Sequence, residues 1–284
     1  MVLEALFNPF SVKKKPWQMF FAGFIYSVVG LLLSYFVFQQ ISGILTVFLI
    51  VMATLPMVYT AIKNEEELEL HTTQEWFLLK EHTKVLIYLM VLFLGITFGL
   101  VLLYVFLPQP MVDTVFVLQE QAIMNVNNNI KGNITGGITS VDILLKIFMN
   151  NLKVLFFCIV FSFLYGAGAL FILTWNASVI ATAMGTLFKT EIGKIVTLTG
   201  FTGAASYFGV ATFSFFRYMT HGVLEIAAYF VAGLAGGIIS IALIKHDLTN
   251  DQVLIDALDL VLISLGLLMV ASIVEVYVTP LLFI

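Results

Sequence analysis

Three ionisable side chains stand inside stretches that are otherwise apolar. His221 and Glu225 lie four residues apart in "RYMTHGVLEIAAYFVAGLAGGIISIALIKHD", and Glu275 lies in "ASIVEVYVTP" with Thr279 four residues on. At 3.6 residues per turn, His221, Glu225, Ala228, Tyr229, Ala232 and Gly236 fall on one helix face. The ionisable pair and the small residues therefore point the same way. A charged side chain at the centre of a bilayer costs at least ~2.5 kcal/mol, so residues kept there need partners. Three chemistries suit the set His221, Glu225, Glu275 and Thr279. They can form a polar clasp of hydrogen-bonded carboxyls, they can bind a cation or relay a proton, or they can be catalytic around a metal. Two carboxylates and a histidine can ligate zinc in principle. The spacing is not that of an HExxH helix, however, and the residues come from separate segments. We favour the clasp and expect neither a metal nor a cofactor. Asp256 and Asp259 stand near the start of the last apolar segment, where water can reach them.

The solvent around these residues follows from composition. The chain has 284 residues, of which 61% are hydrophobic and 11% charged. Soluble domains carry about a quarter charged residues, so lipid is the expected surrounding. The net charge of −4 supplies no basic field for nucleic acid. The single cysteine, Cys158, leaves no intramolecular disulfide to read. The sequence has no phosphate-binding loop, no CxxC or histidine cluster and no nucleophile elbow. An enzyme is therefore the minority expectation. The opening "MVLEALFNPFSVKKKPW" lacks a short apolar core followed by a small-residue cleavage site, so the first apolar helix is expected to be retained.

A spanning helix needs roughly 20 apolar residues. Trp17–Phe38, Ile41–Ile62, Val85–Leu107, Leu152–Trp175, Gly222–Ile244 and Leu254–Val278 meet that length. This predicts an all-α integral membrane protein, a polytopic bundle of about six transmembrane helices. A tight turn near Gln39 and Gln40 joins the first two, and Pro108 and Pro110 end the third. Residues 176–217 fit less well, as two apolar pieces parted by "KTEIGK". They form either a seventh span or a re-entrant or interfacial hairpin, and we favour the hairpin. The whole is one polytopic domain: a three-helix part at 1–107, an Asn-rich loop at 108–145 and a core at 146–284.

Lysine placement predicts orientation. Lys13–Lys15 abut the first helix, and Lys63, Lys80 and Lys84 bracket the second connection, so the N-terminus and residues 63–84 are expected in the cytoplasm. Residues 111–140 then lie outside, with a possible glycosylation sequon at Asn133. Lys189 and Lys194 are expected back on the cytoplasmic side. The charged stretch "KNEEELELHTTQEWFLLKEHTK" is most simply a solvated helical extension, and otherwise a docking site. Lipid tails give no hydrophobic drive between helices, so close backbone contact should hold the bundle together. Gly23, Ser27, Gly30 and Ser34 make one small-residue stripe. Gly95 and Gly99, Ser162 and Gly166, and Gly233, Gly236 and Gly237 repeat the device. Packing within the bundle is the expected use, though the same motifs also suit a homo-oligomer.

The segments "HGVLEIAAYFVAGLAGG" and "IVEVYVTP" resemble the paired signatures of the stage II sporulation protein M family. "NNLKVLFFCIVFSFLYGAGALFILTWNASVIATAMG" is similar to the family's preceding segment, with Asn151, Gly166 and Asn176 at recurring positions; Gly222 and Pro280 complete the motif. Ala177, Thr220 and Ile226 stand where members often have Gly, Pro and Pro. The opening "NPFSVKKKPWQMFFAGFIYSVVGLLLS" resembles extended members found mostly in archaea. The namesake is a polytopic protein that holds wall-degrading partners at the septum of sporulating bacteria. The resemblance therefore implies a membrane scaffold, or a membrane-remodelling component, with protein partners. A permease or channel-like subunit is the alternative that the intramembrane His and Glu residues suggest.

Overall fold

The computed structural model describes residues 17–69, 75–131, 139–165, 169–244 and 251–283, and every regular element among them is helical. The long helices are α1 (Trp17–Phe38), α2 (Ser42–Glu69), α3 (Glu75–Phe106), α6 (Ser140–Tyr165), α7 (Ala169–Thr199), α8 (Ala204–Ile244) and α9 (Asp251–Ile273). Short helices α4 (Gln109–Val115) and α5 (Val117–Lys131) follow α3, and α10 (Thr279–Leu282) follows α9 after a π-turn at Val274–Val278. Among the described residues, six helical runs are long and apolar enough to cross a membrane. The first of them, Trp17–Val58, is folded in two at the 3-10 turn Gln39–Ile41, so that α1 and α2 form an antiparallel hairpin. The chain is thus an all-α, multi-pass membrane protein.

Side-chain pairings fix the direction of each helix. Ser34 meets Thr46 and Gly30 meets Ile50, so α2 runs against α1. Gly95 lies on Phe20, and Gly99 on Phe24 and Ser27, so α3 runs with α1. Asn151 meets Glu225 and Ile159 meets Gly236, so α6 runs with α8. The α7–α8 hairpin brings Ala169 to Gly233, and Thr279 meets His221, so α7 and α9 both run against α8. The start of α1 and the end of α9 consequently fall at opposite ends of the bundle.

Two sequence-based boundaries are corrected. Leu152–Trp175 is not one helix, because α6 ends at Tyr165 and α7 starts at Ala169 in the opposite direction. Residues 176–217 are not a re-entrant hairpin. They belong to two continuous helices of 31 and 41 residues that turn at Gly200, the one glycine with positive φ, 71°, among the described residues. The "KTEIGK" stretch does not interrupt α7, because Lys and Glu are good helix formers and Lys194 pairs with Glu191 one turn back. At 1.5 Å per residue α8 is ~62 Å long, about twice the hydrocarbon thickness. The described residues of the expected loop at 108–145 are also largely helical. Val112, Val115, Phe116 and Gln119 of this segment are buried.

Close backbone approach holds the helices together. A Cβ on Gly23 would sit 2.5 Å from the Leu92 carbonyl oxygen, one on Gly43 2.6 Å from that of Val115, and one on Gly236 2.5 Å from that of Ile159. The α1 stripe does not form one interface. Gly23 and Ser27 face α3, whereas Gly30 and Ser34 face α2, so α1 is the helix common to two contacts. Ser162 is buried against Gly233 and Gly236, and Gly237 is buried beside them. Gly166 lies outside the described residues.

Candidate functional site

α6, α8 and the π-turn converge on a polar cluster inside the family-like half of the chain. The carboxyl groups of Glu225 and Glu275 are hydrogen-bonded to each other. Asn151 Nδ2 donates to Glu225 Oε1 at 2.5 Å, which ties α6 into the same cluster. One turn back towards the start of α8, His221 Nδ1 lies 3.2 Å from Thr279 Oγ1. The Thr279 hydroxyl donates to the Val274 carbonyl at 3.2 Å. A hydroxyl has one hydrogen to give, so the proton between His221 and Thr279 comes from the imidazole. The chain of donors is therefore His221, Thr279, then the Val274 carbonyl.

The local backbone explains how these side chains come to one place. The π-turn adds a residue to the helix winding, and its hydrogen bond from the Thr279 amide to the Val274 carbonyl spans five residues. That extra residue rotates the end of the helix so that Glu275 and Thr279 both face α8. Turns of this kind recur at functional positions. On α8 the regular spacing suffices. Ala228, Tyr229 and Ala232, which share the face of His221 and Glu225, are buried. His221 stands well inside the 41-residue α8 rather than at its leading edge, because the helix begins at Ala204.

The three titratable residues expected to converge, with Thr279, do so. Asn151 joins them, and no local pattern could have assigned it that contact, since its partner lies 74 residues away. Asn176 is elsewhere: its amide donates to the Ile172 carbonyl within α7. Gly222 is buried and Pro280 is exposed. Asn133 lies outside the described residues, as does His71. No group of three or more His, Cys, Asp or Glu that could hold a metal ion occurs among the described residues.

A second polar network, which the sequence did not suggest, lies where α3 ends. The Tyr104 hydroxyl donates to Glu120 Oε1 and pairs with Thr186 Oγ1, both at 2.8 Å. Lys189 Nζ lies 4.9 Å from the centre of the Tyr104 ring and donates to Gln109 Oε1 at 3.0 Å. Gln109 in turn donates to Asp113. Lys189 thus sits at the same end of the bundle as the start of residues 108–145. The expectation that Lys189 and Lys194 lie on the side opposite that segment is corrected, because α7 continues to Thr199 instead of stopping short.

No curated protein and no solved structure matches the chain. The sequence model of the family described as stage II sporulation protein M matches residues 89–280, from α3 through the π-turn and including every member of the acid cluster. With well over half its length matched, the chain belongs to the stage II sporulation protein M family.

Proposed function

We propose that this protein is a non-enzymatic scaffold of the cell membrane, which holds partner proteins in place or shapes the bilayer around them. The closeness of its helices is the observation that supports this reading. Backbone lies against backbone at Gly23, Gly43 and Gly236. Alternating access needs one group of helices to rock against another, and interfaces of this kind resist such sliding. The lysines before α1 and between α2 and α3 favour a cytoplasmic N-terminus, with residues 111–140 outside. Lys189 and Lys194 at the outer end weaken that bias without reversing it.

The test is copurification. Native membranes are cross-linked before solubilisation, and the tagged chain is isolated and its companions identified by mass spectrometry. The scaffold reading expects the same companion in near-stoichiometric amount in independent preparations. Recovery of the chain alone from intact cross-linked membranes would count against it.

The acid pair, with Glu225 on α8 and Glu275 on the π-turn, favours a second reading, a permease-like subunit that passes an ion or small solute. Proteoliposomes separate the two. Solute-dependent flux that Glu225→Gln abolishes while leaving the protein folded would favour transport over scaffolding.

A further inference from the structure

Residues 274–283 bury little of themselves. The π-turn has no buried residue, α10 has only Thr279, and Tyr277, Val278, Leu281 and Leu282 are exposed. What joins this segment to α8 is a ladder of directed contacts. Glu275 meets Glu225, Thr279 meets His221, and the Phe283 carbonyl accepts from Arg217 at 3.4 Å. The Phe283 ring meets Phe213 edge-on, with centroids 5.7 Å apart. The rungs descend α8 as they ascend the segment, which is why they hold it along its length.

One rung differs from the rest. A hydrogen bond between two carboxyl groups needs a proton on one of them. When that proton leaves for solvent, two carboxylates face each other at hydrogen-bonding distance in a medium of low dielectric. Asn151 can donate to Glu225 but cannot neutralise both charges. Arg217 is two turns away and bonded to Phe283. His221 donates Nδ1–H to Thr279 whether neutral or cationic, so its own titration leaves its rung in place. The other titratable groups near the pair are Tyr218 and Tyr229 of α8, with Cys158 of α6 beyond Tyr229. The π-turn is the natural hinge, because helices bend where their regular bonding pattern is interrupted.

We propose that residues 274–283 form a proton-dependent strap, fastened to α8 while Glu225 and Glu275 share a proton and swinging away about the π-turn once it is lost. The device goes beyond the scaffold reading and is compatible with either function. It is tested by spin labels at Val223→Cys and Leu282→Cys, both exposed positions, on protein in lipid nanodiscs. Cys158 is buried and is not labelled. Distances are measured from about pH 5 to pH 10, well beyond the ordinary carboxylate range. The expected result is one short distance at low pH and a second population, longer by about one helical turn or ~5 Å, growing several-fold as pH rises. Glu275→Gln carries a permanent N–H donor and should hold the short distance throughout. Glu225→Gln serves as an independent second lock. A wild-type protein that keeps a single short distance across the range would overturn the proposal. So would opening of either glutamine variant in step with the wild type, since the proton would then belong to another group.

Discussion

Replacing Gly23 with alanine probes how the membrane-embedded helices are held. The new methyl group would lie 2.5 Å from the Leu92 carbonyl oxygen and 2.9 Å from the Ile96 amide nitrogen. Both are backbone atoms and cannot rotate aside. To restore ordinary contact α1 and α3 must part by roughly 0.9 Å, and overpacking of this kind costs about 1–3 kcal/mol. Alanine returns ~1 kcal/mol of helix propensity, which leaves a net loss of about 0–2 kcal/mol. Gly266 on α9 supplies the matched control. A Cβ there meets nothing within 4 Å, so Gly266→Ala should gain up to ~1 kcal/mol. The two variants should differ by ~1–3 kcal/mol, or ~2–12 °C in apparent melting temperature for a chain of this size. Thermal unfolding of the purified protein in detergent, followed by loss of the monodisperse peak on gel filtration, reads the difference. Equal melting temperatures, or a more stable Gly23→Ala, would refute backbone contact as the cohesive device.

Glu225→Gln should be tolerated in the fold, since an amide still pairs with Asn151 and Glu275, whereas Glu225→Leu leaves both partners unsatisfied and should cost about 1–3 kcal/mol or more in the same assay; equal stability of the two would show that the cluster does not fasten the helices. Tyr104→Phe removes the hydroxyl shared by Glu120 and Thr186 and should cost about 1 kcal/mol, with no change expected at the acid cluster. Cysteines placed at Asn128 and at Lys194 should react with an impermeant thiol reagent from the same side of the membrane, because Lys189 and Gln109 meet. Reaction from opposite sides would contradict the direction assigned to α7.

Much of the architecture was legible because lipid imposes a simple rule on length. The run at Trp17 became a helix at its expected bounds, those at Ile41 and Val85 became helices that run on to Glu69 and start back at Glu75, and Pro108 marked the end of α3 as its missing N–H requires. The acid cluster was legible too, since a carboxylate inside an apolar helix has few ways to persist. The misreading of residues 176–217 has a plain cause. "KTEIGK" is polar, and polarity was taken for a boundary, but helix hydrogen bonds are indifferent to side-chain polarity. The stop that matters is Gly200, whose φ of 71° other residues rarely adopt. The α1 stripe was read as one contact face, and its division between α2 and α3 depends on how three helices cross. The Asn151–Glu225 bond spans 74 residues and left no trace in either local stretch.

The hairpin of α1 and α2 precedes the family-matched residues, yet Gly95 and Gly99 of α3 press their backbones onto α1. During synthesis α1 and α2 leave the ribosome before α3 does. When α3 enters the bilayer, a helix with a fitting notch is already there to receive it. A ribosome that began at residue 89 would deliver α3 with its glycine face open to acyl chains, which cannot fill so narrow a groove as a helix backbone does. The appended hairpin therefore belongs to the assembly order of the core, as the surface against which its first helix docks.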